Sequence, residues 1–263
     1  MEQDLLKLSP SSVTDFKSCP QLFKFRSIDL VPEPVSGPAA RGSLVHAVLE
    51  RLFGEEAPDR TPARAEELLE ALWAEVREDS DFRPVGLGPE EEESWLREAH
   101  RLLRNYFKLE DPRALEASRL EWWIEYELTD VQLRGIIDRL EVQPDGSWIL
   151  TDYKTGKVPD ESRELAAFFG LRFYALVCWR AFGVIPQEIR LVFLADPVVL
   201  SLSPNERMLL AFERQMQALT KAIRHAMDTG DWRTRPSPFC MSCSFQAKCP
   251  AWATVRPEKA EET

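Results

Sequence analysis

At 263 residues, 44% of them hydrophobic and 29% charged, the chain has the composition of a globular protein with room for a sizeable core. Its net charge of −11 argues against a broad, sequence-blind nucleic-acid binder, which carries a basic footprint. Apolar runs fall far short of the ~20 residues of a membrane helix, and MEQDLLKLSP holds no basic region followed by an apolar one, so the expectation is a cytoplasmic protein with no membrane partner.

In chain order, LSPSSVTDFKSCPQLFKFR begins with a capping Ser and an early Pro and puts Val13, Phe16 and Leu22 or Phe23 on one side of a helix. A loop over 31–40 leads into an apolar helix over 41–53. Two amphipathic, acidic helices, about 61–80 and 89–107, are split by RPVGLGP and read as a helical insertion spanning 55–110. Three strands follow at 118–128, 131–142 and 147–154, separated by Thr129-Asp130 and Pro144-Asp145-Gly146, as in an antiparallel meander. A helix over 161–182, a strand over 187–195 and a long helix over 203–229 complete the pattern, and a cysteine-rich tail closes it. Strands and helices mix without βαβ alternation, so the fold class is α+β, in a single domain over 1–263.

The second hairpin carries two acids on apolar runs. With Pro144-Asp145-Gly146 as its loop, residues whose numbers sum to 290 face each other, and Asp138 and Asp152 are such a pair. Cross-strand partners point to one face with Cβ atoms about 4.5–5.5 Å apart. That face also holds Ile136, Leu140, Val142, Trp148, Leu150 and, by period two, Lys154. Two carboxylates in a half-dry site repel and call for cations: Lys154 is one, and a hard divalent metal fits oxygen ligands. The plainer reading is an exposed hairpin whose acids face water. His46, alone on an apolar helix, reads first as a satisfied core residue. Glu50, one turn on, and Glu121, on the first strand, are lesser candidates for the same site.

Together these residues carry a resemblance. Gly135-Ile136-Ile137-Asp138, a short gap and Asp152-Tyr153-Lys154-Thr155-Gly156 resemble the core of the PD-(D/E)xK nucleases, specifically the RecB-like branch. Upstream, Arg41-Gly42-Ser43-Leu44-Val45-His46 resembles that branch's helix motif, and downstream Tyr174 in LRFYALVCWR matches its second helix. The resemblance implies a restriction-endonuclease-like core, a central mixed sheet flanked by helices. It implies Asp138, Asp152, His46 and the Tyr153 carbonyl as ligands of Mg²⁺ or Mn²⁺, with Lys154 catalytic beside the two aspartates, and Tyr174, Arg172 and Arg41 as substrate-binding residues. One position departs: four residues before the helix Tyr the branch commonly has Gln, and here stands Gly170. That leaves the metal ligands untouched and puts the placement of the scissile strand in question.

Of five cysteines, Cys178 lies in an apolar helix and reads as a small buried hydrophobe. Cys240, Cys243 and Cys249 follow C-x2-C-x5-C-P in a turn-rich tail, similar to iron–sulfur runs, and Cys19-Pro20 offers a fourth ligand from far upstream. Zinc is the alternative, although only one C-x2-C pair exists. The arrangement resembles the iron–sulfur subgroup of the RecB-like nucleases, which includes the nuclease part of AddB, exonuclease V and CRISPR-adaptation nucleases. That implies a structural [4Fe–4S] cluster tying the tail, 236–263, to the N-terminal helix.

The expected activity is metal-dependent DNA hydrolysis, exonucleolytic on single strands or frayed ends, in repair or recombination. Without a G-x-x-x-x-G-K-[ST] motif the chain cannot unwind duplex, so a helicase partner in trans is expected. Trp122, Trp123, Phe173 and Tyr174 are candidate stacking surfaces, the first two reading rather as core. Two other readings stay open: a non-catalytic DNA-end-binding subunit and a CRISPR-adaptation processing nuclease.

Overall fold

A computed structural model describes residues 5–79 and 88–252, with the side chain of residue 89 excepted. Most of RPVGLGP and the tail beyond 252 lie outside the described residues. The strands are β1 (Leu6–Leu8), β2 (Arg119–Leu128), β3 (Val131–Val142), β4 (Trp148–Lys154), β5 (Glu188–Phe193) and β6 (Val198–Leu202). The helices are α1 (Pro10–Ser18), α2 (Pro20–Phe23), α3 (Gly37–Gly54), α4 (Pro62–Val76), α5 (Pro89–Leu109), α6 (Glu161–Ala167), α7 (Phe169–Phe182) and α8 (Glu206–Thr229).

Among the described residues, all six strands join one mixed sheet in the order β1-β3-β4-β5-β6, with β2 against β3. The β3–β4 hairpin has the register expected from its loop. Leu140 faces Leu150 and Val142 faces Trp148, Gln143 N–H donates to Ser147 O at 2.8 Å, and Gly146 takes the φ of +83° that its turn position demands. Helices cover both faces. One core gathers Val13, Phe16, Leu140, Leu150, Phe173, Leu191 and Phe212 between the sheet and α1, α7 and α8. The other gathers Leu44, Val48, Leu69, Leu102, Tyr153, Val192 and Leu194 between the sheet and α3, α4 and α5. Residues 191–194 alternate between these cores, so the end of β5 is buried on both sides and Leu191-Val192-Phe193-Leu194 is a continuous apolar run.

Several features differ from expectation. The N-terminal helix breaks at Cys19, which is extended (φ −160°, ψ 112°), because Pro20 disfavours helical backbone in the residue before it. Beyond α2 the turn is a π-helix over Lys24–Ile28. α3 starts at Gly37, four residues earlier than read, where Ser36 Oγ accepts the Ala39 N–H at 3.3 Å. The run 161–182 is two helices, and by length and composition it is apolar enough to cross a membrane, contrary to the sequence reading; half of it is buried inside the fold, as a core helix is. β1 and β6 were not anticipated.

Candidate active site

The site arises where the sheet splits. β3 has two edges, and β2 occupies one of them from 131 to 140. The other edge is shared: β1 pairs with 131–133 and β4 with 139–142, so residues 134–138 face a gap between β1 and β4. Two side chains close over this gap. The Asp138 carboxylate accepts the Tyr153 N–H at 2.7 Å, standing in for a ladder bond as β4 veers toward β5. The Tyr174 hydroxyl, from α7, takes a hydrogen bond from the Ile136 backbone. Gly135 makes room for that ring, since a Cβ there would lie 2.5 Å from Tyr174 Cε1.

His46 reaches the same spot from α3. Its Nε2 lies 3.0 Å from Tyr153 O. A carbonyl only accepts, so Nε2 carries the proton and Nδ1, 3.5 Å from Asp138 Oδ2, presents a lone pair when the ring is neutral. Burial favours that neutral form and pulls the imidazole below its ordinary value, despite the Asp152 charge.

Glu121 completes the group. In the β2–β3 register it falls opposite Asp138, and it is the residue skipped between the paired positions 120 and 122. Its φ is +40°, a left-handed conformation that costs a non-glycine residue free energy. Ligand atoms of His46, Glu121 and Asp138 lie within 4.8 Å of one another, and among the described residues this is the one such group of three or more His, Cys, Asp or Glu. Sequence reasoning had Glu121 only as a lesser candidate; summing its number with 138 to the 259 of the β2–β3 turn would have raised it.

Asp152 is buried beside them, with Oδ2 against the Lys154 ammonium but outside hydrogen-bond geometry. Charge in the site is under-compensated. Burial and then Asp152 raise the Asp138 carboxyl well above the usual carboxylate range, and burial, Glu50 and Asp152 raise Glu121. Burial works against the Lys154 charge, yet Asp152 and Asp138 more than offset it and hold Lys154 above its ordinary value. Carboxylate and imidazole donors with excess negative charge suit a hard divalent cation.

From this cluster an open groove of about 800 Å³ runs between α1, the β2–β3 hairpin and the α6–α7 junction, lined by Asp152, Lys154, Tyr174, Gly170 and Trp123 among others. Arg172 and Arg41 are not among its lining residues. The Arg172 guanidinium lies over the Phe212 ring, 5.2 Å from its centroid, and Arg41 sits on α3 within electrostatic reach of Glu98. Trp122 is core, packed on Trp148 and Phe182 with centroids at 5.8 and 5.2 Å. Trp123 is half exposed, against the sequence reading.

On the opposite side of the same strands lies a second ionic cluster. Arg139 is fully buried, paired with Glu110 at 2.7 Å and Glu141 at 2.9 Å and donating to the Tyr153 hydroxyl. Tyr153 is thus held at three points: N–H by Asp138, C=O by His46 and OH by Arg139.

The cysteines are all free. Cys19, Cys240, Cys243 and Cys249 line one cavity of about 520 Å³ between α1–α2 and the tail, while Cys178 is buried in α7. Phe245 anchors the tail on Phe25, ring centroids 5.1 Å apart. Among the described residues no three sulfurs come within 4.8 Å of one another.

No curated protein matches the chain. A candidate exonuclease from Eubacterium rectale has a solved structure that overlays with a TM-score of 0.58 at 11% identity, covering 98% of this chain and 91% of that one. A second solved structure, SSO0001, overlays at 0.41 and 13% identity over 96% of this chain and 89% of its own. The first likeness concerns the fold; the second carries no argument. The profile of the PD-(D/E)XK nuclease superfamily matches residues 7–250, nearly the whole chain, and with the split sheet and its acids already in place, the chain belongs to that superfamily.

Proposed function

We propose that this chain is a metal-dependent deoxyribonuclease of the RecB-like branch, a single nuclease domain with 55–110 as its helical insertion, digesting single-stranded or frayed DNA from an end during repair or recombination. The observation that carries this reading is the meeting of His46, Glu121 and Asp138 beside Asp152 and Lys154 at the foot of an open groove. A Mg²⁺ or Mn²⁺ ion held by His46 Nδ1, Glu121, Asp138 and Asp152 would lower the pKa of the attacking water and offset phosphate charge, while the Tyr153 carbonyl, expected from the resemblance as a further ligand, accepts from His46 Nε2 on the far side of the ring and orients the imidazole instead. Without the ion, Asp152 and Asp138 outweigh burial and hold Lys154 above its ordinary value. As an ammonium it would orient the water and stabilise negative charge as it develops on phosphorus. Tyr174, its oxygen fixed by the Ile136 backbone, keeps its own O–H for a phosphate oxygen. A helicase in trans would deliver the strand.

The test is digestion of end-labelled single-stranded and duplex DNA with Mg²⁺, Mn²⁺ or EDTA, comparing wild type with Asp152→Ala and Lys154→Ala. Metal-dependent laddering lost in both variants is expected. Full activity in both would overturn the site assignment. Tight binding without cleavage in wild type would favour an end-binding subunit, with Gly170 marking a silenced site.

The tail we read as holding a structural [4Fe–4S] cluster on Cys19, Cys240, Cys243 and Cys249. Support comes from the cavity those four thiols share. Brown protein with matching iron and sulfide after anaerobic purification is expected; stoichiometric zinc without iron would refute the cluster.

A further inference from the structure

We infer that Trp123 is a nucleobase-stacking platform that makes the groove select unpaired strand, an inference that rests on the nuclease reading above. Trp122 and Trp123 are sequence neighbours on β2 and point to opposite faces. One is locked among Trp148 and Phe182; the other stands 50% exposed in the groove that holds Asp152 and Lys154. Half of this tryptophan, two residues from Glu121, is open to the groove beside the reacting centre. Its surroundings hold the ring. The indole N–H reaches Glu125 Oε2 at 3.4 Å, the Arg134 guanidinium lies 5.9 Å from the ring centroid, and Ile136, itself 40% exposed, is its cross-strand partner. Ala166, Ala167 and Gly170, small residues lining the same groove, keep it wide.

Charge supports the same conclusion. The groove's cations are Arg134 and Lys154, set against Asp15 and Asp152, in a chain of net charge −11. Beyond the phosphate beside the ion, a polyanion gains little Coulomb attraction from such a lining, so the rest of the strand's affinity comes from contacts that charge balance does not cancel. Base stacking is that contact, and it demands a base already out of a duplex stack.

The test uses full-length protein in Mn²⁺, made cleavage-deficient by Lys154→Ala. Binding of a fluorescein-labelled single-stranded oligonucleotide is followed by anisotropy, with a single abasic site moved along the strand. With Trp123 present, one abasic position near the bound end should weaken binding by about 5- to 150-fold, the range of one lost base stack. Trp123→Ala should weaken the intact strand by the same factor and become indifferent to the abasic position, Trp123→Phe should recover part of it, and blunt duplex binding should barely change. Unchanged melting of the variant reports an intact fold. Binding of the intact strand within two-fold of the parent, retained abasic sensitivity, or equal loss on duplex each overturns the platform. Wild-type cleavage that is independent of Trp123 sinks the platform and spares the nuclease. Full activity of Lys154→Ala, or no strand binding by wild type at all, sinks the nuclease reading and the platform with it.

Discussion

Asp138 and Arg139 are neighbours on β3, and each anchors a buried ionic cluster, yet the clusters are opposites. Around Arg139 each acid touches the cation: Glu110 and Glu141 both reach the one guanidinium, whose charge burial opposes and Tyr153, Glu110 and Glu141 more than offset. Around Asp138 the acids outnumber the cations, and Asp138 and Glu121 are pushed toward their protonated forms. A buried cluster whose acids each touch a cation holds strands together; one whose acids meet one another suits a bound cation. Burial alone distinguishes neither, and what separates the two clusters here is which groups are in contact.

The contrast can be broken most severely at the paired side. Arg139→Met strands two carboxylates near its site and should cost about 3–5 kcal/mol of stability, read as the shift of a urea transition. Adding Glu110→Gln and Glu141→Gln should return much of that loss. A single substitution costing under 1 kcal/mol would mean that the cluster is not load-sharing with the fold.

Between the clusters, Gly135→Ala drives a methyl into the Tyr174 ring and should cost about 1–3 kcal/mol as overpacking. Tyr174→Ala in the same chain should relieve the clash, so the double variant should lie closer to Tyr174→Ala alone than additivity requires. Thermal melts of the four proteins decide it.

Asp138→Asn should have the opposite sign. In EDTA the variant should gain stability of order 1 kcal/mol, because a repelled carboxylate becomes a neutral amide that still accepts the Tyr153 N–H. The pH dependence follows from linkage. The folded pKa lies above the ordinary 3.8, so between those two values the folded state holds the proton that the unfolded state has lost. The Asp138 contribution is therefore fully present below pH 3.8 and fades as pH rises through the folded pKa. In EDTA, wild type minus variant stability should decline with pH across that window, and Mn²⁺ should stabilise wild type more than the variant. A flat difference would dismiss the repulsion.

The smallest effect belongs to Gly170→Gln. A Cβ at 170 would meet only Pro10 Cβ, at the ordinary distance of 3.8 Å, so the side chain fits. Stability should rise by no more than about 1 kcal/mol, the helix-propensity gain over glycine, while cleavage should increase as the groove acquires an amide. A fall in cleavage would show that the space left by Gly170 is itself used.

Much of this was legible in the sequence. The turn Pro144-Asp145-Gly146 and the alternation around it gave β3 and β4 to within a residue and put Asp138 near Asp152, because hairpin register is local information. The pattern Leu6-Lys7-Leu8 is too short for any periodicity to register, and its parallel partner lies over a hundred residues away, so β1 was invisible. The break at Phe168 hid in a continuous apolar run. Arg139 was passed over because its partner Glu110 comes from the end of α5, a contact that no spacing predicts. Glu121 was undervalued because its significance depends on a backbone twist, φ +40°, that an acidic side chain does not advertise.

The gap along β3 has a further consequence, for solubility. An open strand edge is a template on which another chain can extend the sheet, and proteins usually blunt such edges with charge or short length. Here the exposed edge is five residues, 134–138, hemmed by β1 at one end and β4 at the other, with Tyr174 bound at its middle and Asp138 reaching across its end. The chain thus keeps a stretch of bare backbone beside its chemistry without offering a docking rail to its own copies.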